Sequence, residues 1–193
     1  MSSSNQEHPS HVTLLVGLPG VGKTTLARAL TSRGGGYVLN RDDIRDGIFP
    51  EAFLDYSPRQ NGVATDVMFA VLAYLLDVHK PERLIIDGKP FSKSAEVRSL
   101  TDLVSTFGAK VDVVCCEAPL AEVQRRLSLG LSDPVNRRAK RTPEKAARIL
   151  REFEPLDVDH LVLDMTRPID QQVDLVLAYW AGYRVPNGSG DKQ

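Results

Sequence analysis

One stretch near the N-terminus restricts the possible folds more than any other part of the sequence. Residues 17–24 read GLPGVGKT, a G-x-x-x-x-G-K-T pattern, and the apolar run 12–16 comes directly before them. A helical pattern follows, with Leu26, Ala27 and Leu30 on one face. A strand, a glycine-rich loop and a helix in this order are typical of the loop that encloses the phosphates of a nucleotide. The stretch therefore predicts an α/β domain that binds nucleoside triphosphate.

Each residue type in this loop suits that task. Glycines allow backbone conformations in which successive N–H groups point at one anion, and the positive end of the following helix strengthens the attraction. Lys23 is expected to reach the β- and γ-phosphates, and the Thr24 hydroxyl to ligate Mg²⁺. The alternative interpretation is a tight, glycine-rich strand-to-helix turn without a ligand. The residues expected to bind ATP are Gly17, Leu18, Pro19, Gly20, Val21, Gly22, Lys23, Thr24 and Thr25.

Composition narrows the class of protein. A chain of 193 residues suits one domain, and its formal net charge of −1 gives no global attraction for nucleic acid or anionic membranes. Cys115 and Cys116 are adjacent in an apolar run, so we expect two buried thiols and neither a disulfide nor a metal site. Residues 1–11 lack the apolar core of a signal peptide, and we expect no apolar run to approach membrane-spanning length. These features predict a soluble cytoplasmic enzyme.

Short apolar runs alternate with helical patterns along the chain. This alternation predicts a parallel sheet with helices on both faces. We expect one domain over residues 11–184, with flexible tails at 1–10 and 185–193. The five predicted strands are 12–16, 36–39, 83–87, 111–116 and 160–164.

The longest helical pattern lies between the second and third predicted strands. Its residues Val63, Val67, Val71, Tyr74 and Val78 recur at helical spacing. Other helices are expected to begin near Ser94, Pro119, Pro143 and Pro168.

A polar segment follows the second predicted strand, where ligands of open parallel sheets bind. It begins Asn40-Arg41-Asp42-Asp43 and continues to Arg45. Asp42 could accept the proton of an attacking hydroxyl, and Arg45, three residues later on a helix, could hold an anionic or polar group of the acceptor. The alternative is that Asp42 or Asp43 caps the helix that begins there.

The phosphate loop and the segment N-R-D-D-x-R together resemble the kinase domain of the phage polynucleotide 5′-hydroxyl kinase and its relatives. These belong to a group of P-loop kinases that includes chloramphenicol phosphotransferases and adenylylsulfate kinases. The resemblance implies a three-layer P-loop NTPase fold of the adenylate-kinase type, with a five-stranded parallel sheet and a helical lid. It also implies that Asp42 is the general base and that Arg45 contacts a phosphate of the acceptor.

The third predicted strand ends in Asp87 and looks like a Walker-B-type strand. Asp87 could hold a water of the Mg²⁺ shell or orient the acceptor. Relatives carry a small polar residue after this aspartate, whereas this chain continues with Gly88-Lys89-Pro90. Lys89 is either a substrate contact or a solvated loop lysine.

Residues 125–151 carry nine Lys and Arg against two acidic residues. In the relatives the corresponding region, here about 126–145, forms a lid whose arginines neutralise charge in the transition state. The alternatives are a solvated basic surface or a nucleic-acid patch. The lid candidates are Arg138 first and Arg126 second, followed by Arg137 and Arg141.

The resemblance also assigns two peripheral regions. Residues 49–80 occupy the place where related kinases bind their acceptor, and Tyr56 and Arg59 are candidate contacts there. Arg167 follows the fifth predicted strand, where relatives bring a loop near the adenine, although a surface arginine is equally consistent with the sequence.

These assignments predict a Mg²⁺-dependent kinase that transfers the γ-phosphoryl group of ATP to a hydroxyl of a small molecule, such as a metabolite, nucleoside, sugar or antibiotic. The first alternative is a polynucleotide 5′-hydroxyl kinase, in which nucleic acid is the substrate. The second is an NTP-hydrolysing switch or motor without an acceptor, in which Asp42 and Arg45 would have no evident task. The sequence does not predict an oligomeric state.

Overall fold

Five apolar runs form one parallel sheet in the computed structural model, which describes residues 9–130 and 141–183. The strand order is β2-β3-β1-β4-β5. Each predicted strand is confirmed to within one residue at each end. The strands are β1 (His11–Val16), β2 (Tyr37–Asn40), β3 (Arg83–Asp87), β4 (Lys110–Glu117) and β5 (His160–Asp164).

Seven α-helices in the described part of the chain cover the sheet. A 3₁₀ turn at Glu51–Phe53 follows the second helix, and a π-helical turn at Leu75–His79 continues the third. The helices are α1 (Lys23–Gly34), α2 (Arg41–Ile48), α3 (Pro58–Tyr74), α4 (Ser94–Ser105), α5 (Leu120–Gly130), α6 (Pro143–Arg151) and α7 (Ile169–Trp180).

The sheet separates two hydrophobic cores, as the alternation of strands and helices predicts. On one face, α1, α5 and α7 pack on the sheet through residues such as Leu26, Val123 and Val176. On the other face, α3 and α4 pack through residues such as Met68 and Leu100. The fold is therefore the predicted three-layer P-loop NTPase fold.

Helix α3 corrects one expectation from the sequence and shows which of its apolar stripes is buried. Val63, Tyr74 and Val78, which recur at helical spacing, are exposed. Ala64 and Met68 belong to a second stripe, one position further along the chain, and are buried. Both stripes have helical spacing, so the spacing alone does not show which one packs on the sheet. The continuous helix Pro58–His79 is also long and apolar enough to span a membrane, with a mean hydropathy of 1.4, contrary to the expectation. It is a core helix on the sheet.

Cys115 and Cys116 are buried free thiols, as their place in an apolar strand predicts. Burial raises the pKa of each thiol to about 12. Both side chains therefore belong to the core and are protonated at neutral pH.

The sheet brings three chain segments to the same edge. Asn40, the last residue of β2, pairs in register with Asp87, the last residue of β3, and β1 lies on the other side of β3. The phosphate loop 17–24 follows β1 and α2 follows β2 directly. Parallel strands thus place the glycine-rich loop, the Asp42 segment and Asp87 beside one another.

Gly88 lets α2 approach the end of β3 closely. Its φ is +89°, a conformation that side chains disfavour, and an added Cβ would lie 2.6 Å from Asn40 Oδ1 and 2.8 Å from the Arg41 nitrogen. The missing small polar residue after Asp87 therefore has a geometric explanation, since the N-terminus of α2 occupies the space that a side chain would need.

We predict that Gly88→Ala destabilises the protein by about 2–4 kcal/mol, because it combines a positive φ with a clash against backbone atoms. Urea denaturation measures the change in the free energy of unfolding. Gly47→Ala is the matched control, since Gly47 is inside α2 and an added Cβ there meets no atom within 4 Å. That substitution is expected to leave stability unchanged or slightly raised. Equal effects of the two substitutions would contradict the prediction.

Candidate active site

The phosphate loop between β1 and α1 is held by close backbone contacts. Gly17 has a φ of +141°, and an added Cβ would lie 2.4 Å from the Cys116 carbonyl oxygen on β4. The Gly17 nitrogen donates to the Pro90 carbonyl oxygen at 3.0 Å, which ties the loop to the segment after β3. The loop conformation is thus fixed by the two strands that flank β1.

Lys23 lies at the first position of α1 and is 8% exposed. Its Nζ donates to the Gly17 carbonyl oxygen at 2.7 Å and to the Leu18 carbonyl oxygen at 2.9 Å. Burial lowers the pKa of Lys23, and Asp87 opposes that shift. The ammonium group is therefore positioned inside the loop by backbone oxygens, next to the space where phosphates would bind.

Asp87 lies at the centre of a polar cluster and is fully buried. Its Oδ2 accepts hydrogen bonds from Thr24 Oγ1 at 2.6 Å and from Asn40 Nδ2 at 2.8 Å. Its Oδ1 has no hydrogen-bond partner among the described residues. A buried carboxylate oxygen without a partner is costly, so this atom fits a role as an acceptor for a bound group.

The donor set at Asp87 suits Mg²⁺. This ion prefers oxygen ligands and is commonly held by one or two protein oxygens together with substrate phosphates and water. Thr24 and Asp87 offer a hydroxyl and a carboxylate at the end of the phosphate loop. No group of three or more His, Cys, Asp or Glu that could hold a metal occurs in the described ranges 9–130 and 141–183.

Asn40, and neither aspartate, caps α2. Its Oδ1 accepts from the Asp42 nitrogen at 2.8 Å and from the Asp43 nitrogen at 3.3 Å. The capping alternative for Asp42 and Asp43 is therefore wrong, because a side chain one turn earlier already satisfies the helix N-terminus. The Asp42 carboxylate is free to face the cavity, whereas Asp43 is exposed on the other side of the helix start.

Three arginines surround the Asp42 carboxylate. Arg41 Nη2 and Arg45 Nη1 each donate to Oδ1 at 2.9 Å, and Arg141 Nη2 donates to Oδ2 at 2.6 Å. Burial alone would raise the pKa of Asp42, but the charges of these arginines outweigh it and the pKa lies below its usual value. Asp42 is therefore ionised at neutral pH.

Arg45 forms the floor of the site beside Asp42. It is 3% exposed, and its guanidinium also donates to Asp46 and to Asn61 Oδ1 at 3.0 Å. The Tyr56 ring covers it, with the guanidinium carbon 4.4 Å from the ring centroid. This cation–π contact and the hydrogen bonds fix the orientation of Arg45.

The loop before α3 holds Tyr56 in place. Tyr56 has a φ of +57°, which is unusual for a residue with a side chain. The buried Gln60 side chain accepts from the Asp55 and Tyr56 nitrogens at 3.1 and 3.0 Å and donates to the Phe53 carbonyl oxygen at 2.9 Å. Gln60 therefore acts as the scaffold of this loop and has no direct contact with the cavity.

One cavity of about 330 Å³ joins the phosphate loop to the Asp42 segment. Lys89 lines it while pairing with Glu96 at 2.6 Å, so this side chain is anchored at the cavity wall. The predicted site residues on the wall are Pro19, Gly20, Gly22, Lys23, Thr24, Thr25, Asp42, Arg45, Tyr56, Asp87, Lys89 and the lid candidate Arg141.

Other predicted site residues lie away from this cavity. Arg126 on α5 donates to the Val21 and Met165 carbonyl oxygens at 2.9 and 2.8 Å and pairs with Glu122. It therefore supports the phosphate loop through the backbone of Val21 and does not line the cavity. Arg59 and Arg167 are exposed, and Arg167 contacts Asp164.

The remaining loop and lid residues divide into two groups. Gly17, Leu18 and Val21 belong to the phosphate loop without lining the cavity, and Leu18 and Val21 are buried in the core beneath it. Arg137 and Arg138 lie outside the described residues, so the role of Arg138 stays a prediction.

Three further polar side chains line the cavity although the sequence predicts no role for them there. Arg41 stands inside the quoted N-R-D-D segment, and Asn61 lies in the first turn of α3. Lys145 lies in the first turn of α6, which Thr142 caps by accepting from the Lys145 nitrogen at 3.3 Å. The helix predicted to begin near Pro143 does begin at that residue, but nothing in the sequence indicates that its first turn faces the cavity.

Comparison with known proteins supports the same fold. The sequence profile of the AAA domain family matches residues 12–156. No protein curated for function matches the chain.

Solved structures of small kinases share the architecture. The APS kinase CysC of Mycobacterium tuberculosis, solved with AMPPNP and APS, is 21% identical with a TM-score of 0.66, over 90% of this chain and 99% of that one. A gluconokinase from Sinorhizobium meliloti 1021 is 14% identical with a TM-score of 0.60, over 90% of this chain and 93% of that one. A chain of the Pnkp1/Rnl/Hen1 complex is 24% identical with a TM-score of 0.52, over 64% of this chain and 41% of that one.

These likenesses show the fold and confirm the resemblance to small P-loop kinases on which the sequence analysis relied. The family match spans most of the chain, including the phosphate loop and the Asp42 segment. The protein belongs to the AAA domain family of P-loop proteins.

Proposed function

We propose that the protein is a kinase that transfers the γ-phosphoryl group of ATP to a hydroxyl group of a small molecule. One observation carries this proposal: an ionised carboxylate, Asp42, lines the same cavity as Lys23 and the Thr24–Asp87 pair. A phosphate-binding loop needs no such carboxylate to bind a nucleotide, whereas an acceptor hydroxyl needs a group that receives its proton.

The phosphate loop and Asp87 would form the donor side. Backbone N–H groups of the loop and the Lys23 ammonium bind the β- and γ-phosphates and orient the γ-phosphoryl group. Thr24 and Asp87 would hold Mg²⁺, which, when bound, neutralises charge on the phosphates. The Lys23 ammonium has three N–H donors and uses two of them for the Gly17 and Leu18 carbonyl oxygens, so one donor is left for phosphate.

Asp42 and Arg45 would form the acceptor side. Oδ1 of Asp42 is held by two arginines, and Oδ2 receives one donor, Arg141. Oδ2 is therefore the oxygen that best suits the acceptor hydroxyl. Phosphoryl transfer passes through a loose transition state, in which the hydroxyl proton leaves late, so a carboxylate of low pKa suffices as acceptor of that proton.

A polynucleotide 5′-hydroxyl kinase is the second candidate. The cationic wall of the cavity would suit a nucleic-acid substrate and an anionic small molecule equally. Salt dependence separates the two candidates. The affinity for an oligonucleotide should fall steeply with added salt, because the protein neutralises several backbone phosphates. The affinity for a small molecule with one anionic group should depend only weakly on salt.

The experiment is incubation with labelled ATP, Mg²⁺ and a panel of nucleosides, sugars, sugar acids, antibiotics and 5′-hydroxyl oligonucleotides. We expect label on at least one small hydroxyl compound. Label that appears solely as free phosphate with every acceptor would contradict the kinase proposal and favour an NTP-hydrolysing switch.

We predict that Asp42→Asn lowers phosphoryl transfer about 10²–10⁴-fold, because the acceptor hydroxyl loses its proton acceptor. Nucleotide affinity, measured by calorimetry with AMPPNP, should remain within about threefold, since Asp42 lies on the acceptor side. Asp43→Asn is the matched control, because Asp43 is adjacent, exposed and absent from the cavity wall, and its turnover should be unchanged. Full activity of Asp42→Asn would remove Asp42 from the mechanism.

The lowered pKa of Asp42 predicts how stability depends on pH. Ionised Asp42 stabilises the folded protein above the ordinary pKa of 3.8, and this contribution is lost as pH falls below 3.8 through the folded-state pKa. The difference in unfolding free energy between the wild type and Asp42→Asn should therefore shrink between pH 6 and pH 3. For Asp43→Asn we expect a small opposite trend, because partial desolvation of this exposed side chain by the protein around it and the charge of Asp42 raise the pKa of Asp43. Urea denaturation at each pH tests this, and a pH-independent difference for Asp42→Asn would refute it.

A further inference from the structure

The active-site cavity carries an excess of positive charge on its wall. A triphosphate with its magnesium ion offsets part of this charge at the phosphate loop, but its place is beside Lys23. The rest of the charge lies around Asp42, on the acceptor side. The cationic side chains on the wall are Lys23, Arg41, Arg45, Lys89, Arg141 and Lys145, and the carboxylates are Asp42 and Asp87.

Most of these cations already have partners within the protein. Lys23 is bound by loop carbonyl oxygens, and Lys89 has a carboxylate partner at 2.6 Å. Arg45 and Arg141 pair with Asp42 at 2.9 and 2.6 Å. The charges that remain without full compensation belong to the first turns of two different helices, α2 and α6.

On α2 the group is Arg41. Its Nη2 donates to Asp42 Oδ1 at 2.9 Å, an oxygen that it shares with Arg45. Its Nε is buried and has no hydrogen-bond partner in the part of the chain that the structure describes. An unpaired buried donor on a charged group is unfavourable, so a bound acceptor atom here would be stabilising.

On α6 the group is Lys145. It lines the cavity and forms no ion pair with a carboxylate within residues 9–130 and 141–183. Burial lowers the pKa of Lys145, and the positive charge of the neighbouring Arg41 lowers it further, while Asp42 opposes the shift. Two cations from separate helices thus line one cavity beside Asp42 and repel each other, and a bound anion would relieve that repulsion.

We infer that the phosphoryl acceptor carries an anionic group, a phosphate, sulfate or carboxylate, which binds to Arg41 and Lys145 beside Asp42. This inference rests on the proposed kinase function and specifies its substrate class. The guanidinium and ammonium groups would hold the anion, while Asp42 Oδ2 receives the hydroxyl of the same molecule.

Turnover with matched acceptor pairs tests the inference. Each pair consists of a neutral alcohol and its charged counterpart: a nucleoside and its monophosphate, a sugar and its phosphate, a sugar and its sulfate, and a sugar and its acid. We expect kcat/KM to be at least about tenfold higher for the charged member of the pair that fits, and the best pair identifies the anion. Equal turnover of neutral and charged members would overturn the inference.

Lys145→Gln should remove most of that preference while leaving the KM for ATP unchanged. Arg151→Gln is the matched control, since Arg151 is exposed at the other end of α6 and does not line the cavity. If Lys145→Gln instead raises the KM for ATP and preserves the acceptor preference, Lys145 serves the nucleotide and the inference is wrong.

A binding measurement separates this inference from the proposed function. Inorganic sulfate and inorganic phosphate are titrated calorimetrically into protein saturated with Mg²⁺ and AMPPNP, so that the phosphate loop is already filled. We expect one anion to bind, with affinity at least about tenfold weaker in Lys145→Gln and in Arg41→Gln and unchanged in Arg151→Gln. Anion binding of this kind without transfer to any acceptor would refute the kinase proposal alone. Transfer to neutral acceptors without anion binding would refute the anionic acceptor alone.

Discussion

The side-chain amide of Asn40 connects the two halves of the site. Its Nδ2 donates to Asp87 at the end of β3, and its Oδ1 caps α2, the helix that carries Asp42. Gly88 makes this contact possible by leaving room for the start of α2. The position of Asp87 relative to Asp42 therefore depends on Asn40 and Gly88. The register of β2 with β3 brings these two residues together, because Asn40 pairs with Asp87 and Gly88 is the next residue.

The groups around Asp87 and Asp42 give these two carboxylates different electrostatic environments. Asp87 has two neutral donors and a buried oxygen without a partner among the described residues, which suits a cation. Asp42 has three guanidinium donors, which keep it ionised. The two carboxylates lie at the same edge of the sheet and share a residue type, so the difference in their electrostatic environment comes from their neighbours.

Local patterns predicted the sheet, the phosphate loop and the strand ends where polar residues gather. They could not predict contacts between distant segments. Lys145 lies more than a hundred residues from Asp42, and its place in the cavity depends on how α6 packs. The spacing of apolar residues on α3 did not show which of its faces is buried, because Val63 and Ala64 belong to apolar stripes of equal period and only packing on the sheet distinguishes them. Asn40 was quoted as part of a motif, but its role as cap required the observed hydrogen bonds.

The bonds from Lys23 to the Gly17 and Leu18 carbonyl oxygens have a further consequence. They join the ammonium group to the backbone of the loop that carries it, so the side chain and the glycine-rich loop form one rigid unit of the fold. Because the conformational entropy of such a unit is lost on folding, a phosphate group that binds there need not order the loop, and this favours affinity.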